Sequence, residues 1–222
     1  MTWTLPNILT TGRLLAAPAF ALVFLVLPRP LADMVALVLF VLAAATDFLD
    51  GYLARRLGQE SAFGRMLDPI ADKAMVVIAL SVVLALSGLN PLILVPVSII
   101  LFREVFVSGL REYLGDRAGS LQVTQLAKWK TTVQMVAIPA LLLAGIFQAQ
   151  YEALYYTQDP ALLEAIQTGE AEDSLGLMGL LGLYDISVIA GVALIWLAGI
   201  LTALTGWDYF RKAIPLLAEE DG

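Results

Sequence analysis

Residues 31–53 read LADMVALVLFVLAAATDFLDGYL, an apolar run of membrane-spanning length whose last third carries two aspartates, Asp47 and Asp50. Crossing the hydrocarbon core of a bilayer takes about 20 mostly apolar residues in a helix. An ionised carboxylate inside such a run costs about 2.5–3.5 kcal/mol on insertion scales. The stretch therefore predicts a helix in lipid, and it also predicts that something compensates its acids. Five more runs of this kind flank it, at about 8–27, 67–88, 91–112, 126–147 and 184–207, separated by turn-forming or charged residues such as Leu27-Pro28-Arg29-Pro30 and Ser87-Gly88-Leu89-Asn90-Pro91. Of the 222 residues 59% are hydrophobic and the mean hydropathy is +0.82, against about half apolar in a soluble domain. The expected fold is an all-α polytopic membrane protein: six transmembrane helices in a single domain over 1–222.

Charge placement orients the bundle. Of thirteen Lys and Arg residues, only Arg29 falls in a connection on the odd-numbered side. The rest, from Arg13 through Lys212, map to the other face, which the positive-inside rule makes cytoplasmic. The segment 148–183 carries Glu152, Asp159, Glu164, Glu170, Glu172 and Asp173 with no Lys or Arg. It is expected as an extracytoplasmic loop, with room for a short surface helix. Six spans then put both termini in the cytoplasm. Met1–Asn7 holds no basic residue and the first apolar run outlasts a signal-peptide core, so that run is expected to be retained.

With no histidine and no cysteine in the chain, thiolate nucleophiles, imidazole bases and the usual zinc ligands are excluded. What remains is carboxylate chemistry. Asp47 and Asp50 are three residues apart, and Asp68 and Asp72 four apart at the start of the next span, so each pair lies on one helix face. A short loop joins the two helices as antiparallel neighbours, so these faces can converge. Four such acids repel one another unless cations intervene. Two divalent ions would balance them, and hard carboxylate oxygens suit Mg²⁺ or Mn²⁺. Gly51, Ala54 and Gly64 lie among the acids and leave room for a ligand near the backbone. Arg55 is within reach of a diphosphate and suits its geometry.

The run Asp47-Phe48-Leu49-Asp50-Gly51-Tyr52-Leu53-Ala54-Arg55, followed at fixed intervals by Gly64, Asp68 and Asp72, resembles the signature of the CDP-alcohol phosphotransferase family at all eight fixed positions. The resemblance implies six membrane helices, a cytoplasmic active site and a homodimer. It implies that Asp47, Asp50, Asp68 and Asp72 are metal ligands and that Asp72 also takes the proton from the attacking hydroxyl. By the same resemblance Asp50, Gly51, Ala54, Arg55 and Gly64 cradle the CDP-lipid, CDP-diacylglycerol, and CMP is released.

The signature does not name the acceptor. Leu5-Pro6-Asn7-Ile8-Leu9-Thr10-Thr11-Gly12-Arg13, Arg103-Glu104, Arg111-Glu112 and Lys128-Trp129-Lys130-Thr131-Thr132 are similar to bacterial members of the family that use sn-glycerol 3-phosphate. Arg103 and Arg111 lie two turns apart on one helix, and Lys128 and Lys130 open the next. A cationic pocket built from them favours an acceptor that bears phosphate. Glycerol 3-phosphate, inositol phosphate and phosphatidylglycerol all meet that condition. Glu104 and Glu112 are expected to orient arginines. A small cation transporter is the competing class; it leaves the Gly-Ala-Arg-Gly spacing among the acids without a purpose. Membrane lipids are the only other expected partners, and no nucleic acid is.

Overall fold

The computed structural model describes residues 4–57, 61–120 and 125–218, with backbone alone described at 48–55, 57, 116, 118, 120, 217 and 218. All regular structure among the described residues is helical: α1 (Leu5–Val26), α2 (Leu31–Leu57), α3 (Ala62–Leu86), α4 (Pro91–Leu114) with a 3₁₀ turn at Gly115–Ser120, α5 (Gln125–Tyr155), α6 (Pro160–Thr168) and α7 (Leu177–Ala218). The helix starts are written in local chemistry. Asn90 accepts a hydrogen bond from the Leu92 amide at 3.0 Å, and Pro91 occupies the first turn, where its missing N–H costs nothing. Asp159 and Pro160 repeat the device for α6, with Asp159 accepting from Ala161 N at 2.9 Å. Asp173 accepts from the amides of Leu177 and Met178 at 2.9 and 2.8 Å and so starts α7.

Helices α1, α3, α4, α5 and α7 are long and apolar enough to cross a membrane. Helix α2 has the length, but most of its side chains after Asp47 lie outside the described residues. Large apolar side chains face outward along these helices, Leu25, Val105 and Ile189 among them, each more than two-thirds exposed. Such exposure suits lipid and would be an aggregation hazard in water. The chain is a multi-pass membrane protein.

The segment 148–183, expected as a loop, is mostly helix. Helix α5 runs on to Tyr155, α6 fills Pro160–Thr168 and α7 begins at Leu177. Polarity ends a hydropathic span without ending a helix: Gln148, Glu152, Ala153 and Leu154 keep good helix propensity after the apolar run stops. The expected short surface helix corresponds to α6, whose Leu163 and Ile166 pack with Leu177 against Tyr151, Leu154 and Tyr155.

The helices divide into two compact units, Met1–Ala79 with Ile138–Gly191, and Leu80–Ala137 with Val192–Gly222. In the first, α1 and α2 lie side by side, and Ala17 of α1 and Ala32, Ala36 and Ala43 of α2 are buried. These small side chains let helix backbones approach closely in lipid. Phe20 fills the remaining space against Phe40, ring centroids 6.3 Å apart and edge to face. At the turn end of this helix pair, Arg29 donates to both carboxylate oxygens of Asp33 at 2.7 and 2.9 Å, and Asp33 is 1% exposed. Gly145 of α5 makes room for the pair, since a Cβ there would lie 2.6 Å from Asp33 Oδ1. In the second unit Trp196 donates to the Leu92 carbonyl at 2.9 Å, and a Cβ at Gly199 would meet Pro96 Cβ at 3.1 Å. Small residues again set the spacing of these helices.

Gly145→Val drives a side chain into a hydrogen-bonded ion pair whose acid is buried and whose arginine is half-buried. Breaking a fully buried pair costs about 3–5 kcal/mol, and solvent at Arg29 lowers that figure. The variant is expected to lose part of that in SDS- or heat-induced unfolding in detergent, while Gly179→Val, where a Cβ meets nothing within 4 Å, stays near the parent.

Candidate active site

One face of α1 builds the centre of the first unit. Asn7, Thr10 and Arg13 recur every three residues and are all buried, with Arg13 3% exposed. A guanidinium at that depth requires anionic partners, and α2 and α3 supply them. Arg13 is paired with Asp47, its Nη1 lies 2.8 Å from Asp72 Oδ1, and its Nη2 lies 3.5 Å from Asp68 Oδ1. Thr10 donates to Asp68 Oδ1 at 2.9 Å, with its hydroxyl also 3.1 Å from the Pro6 carbonyl. Three of the four expected aspartates thus come together around one cation. The side chain of the fourth, Asp50, lies outside the described residues, as do those of Ala54 and Arg55; at Gly51 only the backbone is described.

The acids are not sealed in. Side-chain exposure is 41% for Asp47, 46% for Asp68 and 48% for Asp72, against 2% for the arginine they hold. Their inner oxygens are engaged, and their outer faces remain open to a ligand. Among the described residues no group of three acidic side chains is set to hold a metal ion; the guanidinium stands between them. The donor set nevertheless fits a hard divalent cation. It consists of carboxylate oxygens from two helices that already converge on positive charge, and Mg²⁺ and Mn²⁺ prefer such oxygens.

Gly64 has a local reason of its own. It begins the approach of α3 to α1, and a Cβ there would lie 2.9 Å from Asn7 Oδ1 and 3.3 Å from Ser61 Oγ. Ser61 donates to Asn7 Oδ1 at 2.8 Å and accepts from the Gly64 amide at 2.9 Å, capping α3. A glycine in this position sets how closely the helix bearing Asp68 and Asp72 approaches the helix bearing Arg13.

The four basic residues expected around the acceptor belong to the second unit. Arg103 Nη1 donates to Glu104 at 3.1 Å, and Lys130, buried, donates to the same carboxylate oxygen. A Cβ at Gly206 would lie 2.9 Å from Arg103 Cγ, so that glycine accommodates the arginine stem. Arg111 donates from Nε to Tyr209 Oη at 3.2 Å, its guanidinium carbon 5.6 Å from the ring centroid. Lys128 is exposed. Glu104 therefore accepts from an arginine of its own helix and from a lysine of α5. Among these three side chains two are cationic and one anionic.

Sequence reasoning missed Asn7, Thr10 and Arg13 as parts of the site. The signal was present as a three-residue polar repeat on the first helix. Arg13 enters the sequence reading through membrane topology and through the resemblance of the opening Leu5–Arg13 stretch, without a role in the site.

The family model described as CDP-alcohol phosphatidyltransferase matches residues 3–165. A protein of Cereibacter sphaeroides named CDP-diacylglycerol–glycerol-3-phosphate 3-phosphatidyltransferase is 56% identical over 221 residues, covering 99% of this chain and all of its own. A Rickettsia bellii protein of the same name is 36% identical over 207 residues, 93% of each chain. One from Pseudomonas fluorescens is 43% identical over 141 residues, 62% of this chain and 71% of its own.

Gly64→Ala forces the Asn7 carboxamide to shift, and overpacking of this kind costs about 1–3 kcal/mol. A double-mutant cycle with Asn7→Ala is expected to recover part of that loss in detergent unfolding, because the clash partner is gone. Additive effects of the two changes would mean that the close approach does not govern the position.

Proposed function

Because the chain belongs to the CDP-alcohol phosphatidyltransferase family, we propose that it transfers the phosphatidyl group of CDP-diacylglycerol to sn-glycerol 3-phosphate, yielding phosphatidylglycerophosphate and CMP. The observation that carries this reading is the convergence of Asp47, Asp68 and Asp72 on one buried cation with their outer faces open. The relatives' names supply the donor and the acceptor.

In this reading Asp47, Asp50, Asp68 and Asp72 hold two divalent ions, Mg²⁺ or Mn²⁺. Once bound, these ions share the charge of the diphosphate and make CMP a better leaving group. Asp50, Gly51, Ala54, Arg55 and Gly64 hold the CDP moiety, with Arg55 matched to phosphate. Asp72 accepts the proton of the acceptor hydroxyl as that oxygen bonds to the lipid-side phosphorus and the bond to CMP breaks. A free alcohol is a weak nucleophile, so a positioned base is worth about 10²–10⁴ in rate. Arg103, Arg111, Lys128 and Lys130 bind the acceptor phosphate. Two cations against one Glu104 leave the net positive charge such a ligand needs.

The same reading takes the whole chain as one membrane domain with six spans and both termini in the cytoplasm. It places the site on the cytoplasmic side of the cell membrane, the acidic stretch 148–183 on the outer side, and the protein in a homodimer. The bias of Lys and Arg to one side supports this orientation.

Purified protein given CDP-diacylglycerol is expected to release CMP with glycerol 3-phosphate and not with phosphatidylglycerol or inositol phosphate. Release should stop with EDTA and return with Mg²⁺ or Mn²⁺. Turnover without glycerol 3-phosphate but with either other acceptor would replace the assigned substrate. Asp72→Asn is expected to cut kcat about 10²–10⁴-fold while CDP-diacylglycerol binding persists. Wild-type turnover in that variant would remove Asp72 from the proton transfer.

A further inference from the structure

We propose that Arg13 is a resident counter-cation that competes with the divalent ions for the aspartates, neutralising them in the metal-free protein and giving way as metal binds. The inference rests on the reading of Asp47, Asp68 and Asp72 as metal ligands and adds a role for a residue outside that set.

The geometry favours competition over cohabitation. Arg13 Nη1 is engaged with both Asp47 and Asp72, which come from different helices, and Nη2 reaches Asp68. The guanidinium therefore lies between the α2 and α3 acids that would hold the ions. Its Nη1 lies 2.8 Å from Asp72 Oδ1, whereas Mg²⁺ holds oxygen at about 2.0–2.1 Å. Coordination draws the carboxylates inward over space that Arg13 fills.

Charge points the same way. Three carboxylates against one guanidinium leave a formal −2, enough to attract a divalent ion but less than the bare acids would offer. Like charges a few ångströms apart repel strongly in a partly desolvated site. Arg13 thus lets acids exist in a membrane span before metal arrives, at a cost in metal affinity. The diphosphate of the substrate offsets that cost, so that metal and CDP-lipid bind best together. Arg13 acts through the aspartates and is a positioning residue.

Mn²⁺ binding measured by EPR in detergent, without nucleotide, tests this. Arg13→Gln is expected to bind Mn²⁺ about tenfold more tightly than wild type, and Arg13→Lys to stay within about threefold because the charge is kept. Weaker or unchanged binding in Arg13→Gln would overturn the proposal, since a merely structural arginine predicts loss of the site. Asp68→Asn is the control for the underlying reading: if it leaves Mn²⁺ affinity untouched, the metal assignment itself fails, whatever Arg13 does. A measurement on the wild-type protein covers the case in which Arg13→Gln does not fold. With ¹⁵N-labelled arginine, the Arg13 Nε–H resonance, assigned by its disappearance in Arg13→Lys, is expected to shift on Mg²⁺ addition and return with EDTA. A resonance that ignores Mg²⁺ while Mn²⁺ binds would show that the guanidinium stays in place, and the proposal would be rejected.

Discussion

A guanidinium with almost no access to solvent, held by carboxylates from two other helices, is the constraint around which the first unit is organised. Arg13 can be buried only because Asp47 and Asp72 contact it and Asp68 stands nearby. Those acids can sit in a membrane helix only because a cation answers them. Neither half of the arrangement is stable alone. The mutual dependence ties α1 to α2 and α3 more specifically than apolar packing could, since lipid tails compete equally well for leucine surfaces. Specificity in this bundle comes from small residues that set distances and from charges that set register.

The turn end of the same helix pair repeats the principle. Arg29 and Asp33 form a two-pronged pair above Gly145. At one end of α1 and α2 the acid is sealed, 1% exposed, and both its oxygens are taken by one arginine. At the other end three acids surround one arginine and keep nearly half their surface open. The first arrangement has its charges matched and space for nothing more. The second has surplus negative charge and an open face, as a binding site requires. The contrast within one helix pair sets a closed ion pair beside an open one, and the open one is where the proposed function puts the site.

Much of this was legible in the chain itself. Helix positions followed from apolar runs of bilayer length. The aspartates could be grouped because spacings of three and four residues put them on one face. What escaped the sequence did so for physical reasons. Helix α5 continues eight residues past its expected end, and α7 starts seven residues early, because hydropathy reports the membrane boundary while propensity and capping decide where a helix stops. At Gly64 the structure adds a second reason for glycine beside the proposed ligand space: a Cβ would meet Asn7 Oδ1 of α1, a contact 57 residues away in the chain that no local pattern encodes. Arg13 was hidden by a rule that works: basic residues near the cytoplasmic side usually report topology, and only the three-residue repeat with Asn7 and Thr10 set it apart.

The described charge clusters of the two units differ in sign, and under the proposed function this bears on which substrate each would meet. In the first, excess carboxylate surrounds a single arginine. In the second, Arg103 and Lys130 share the single carboxylate of Glu104, and Arg111 lies against Tyr209 with no acid among its described contacts. The cluster around Arg13 is short of positive charge, and the cluster around Glu104 is short of negative charge. The proposed transfer would use both conditions. A donor diphosphate would meet cations held by acids, and a phosphorylated acceptor would meet basic side chains directly. On the proposed function, an acceptor without phosphate would leave the surplus charge of the Arg103, Lys130 and Glu104 cluster unanswered in lipid. That imbalance, rather than any single contact, is what supports an anionic acceptor.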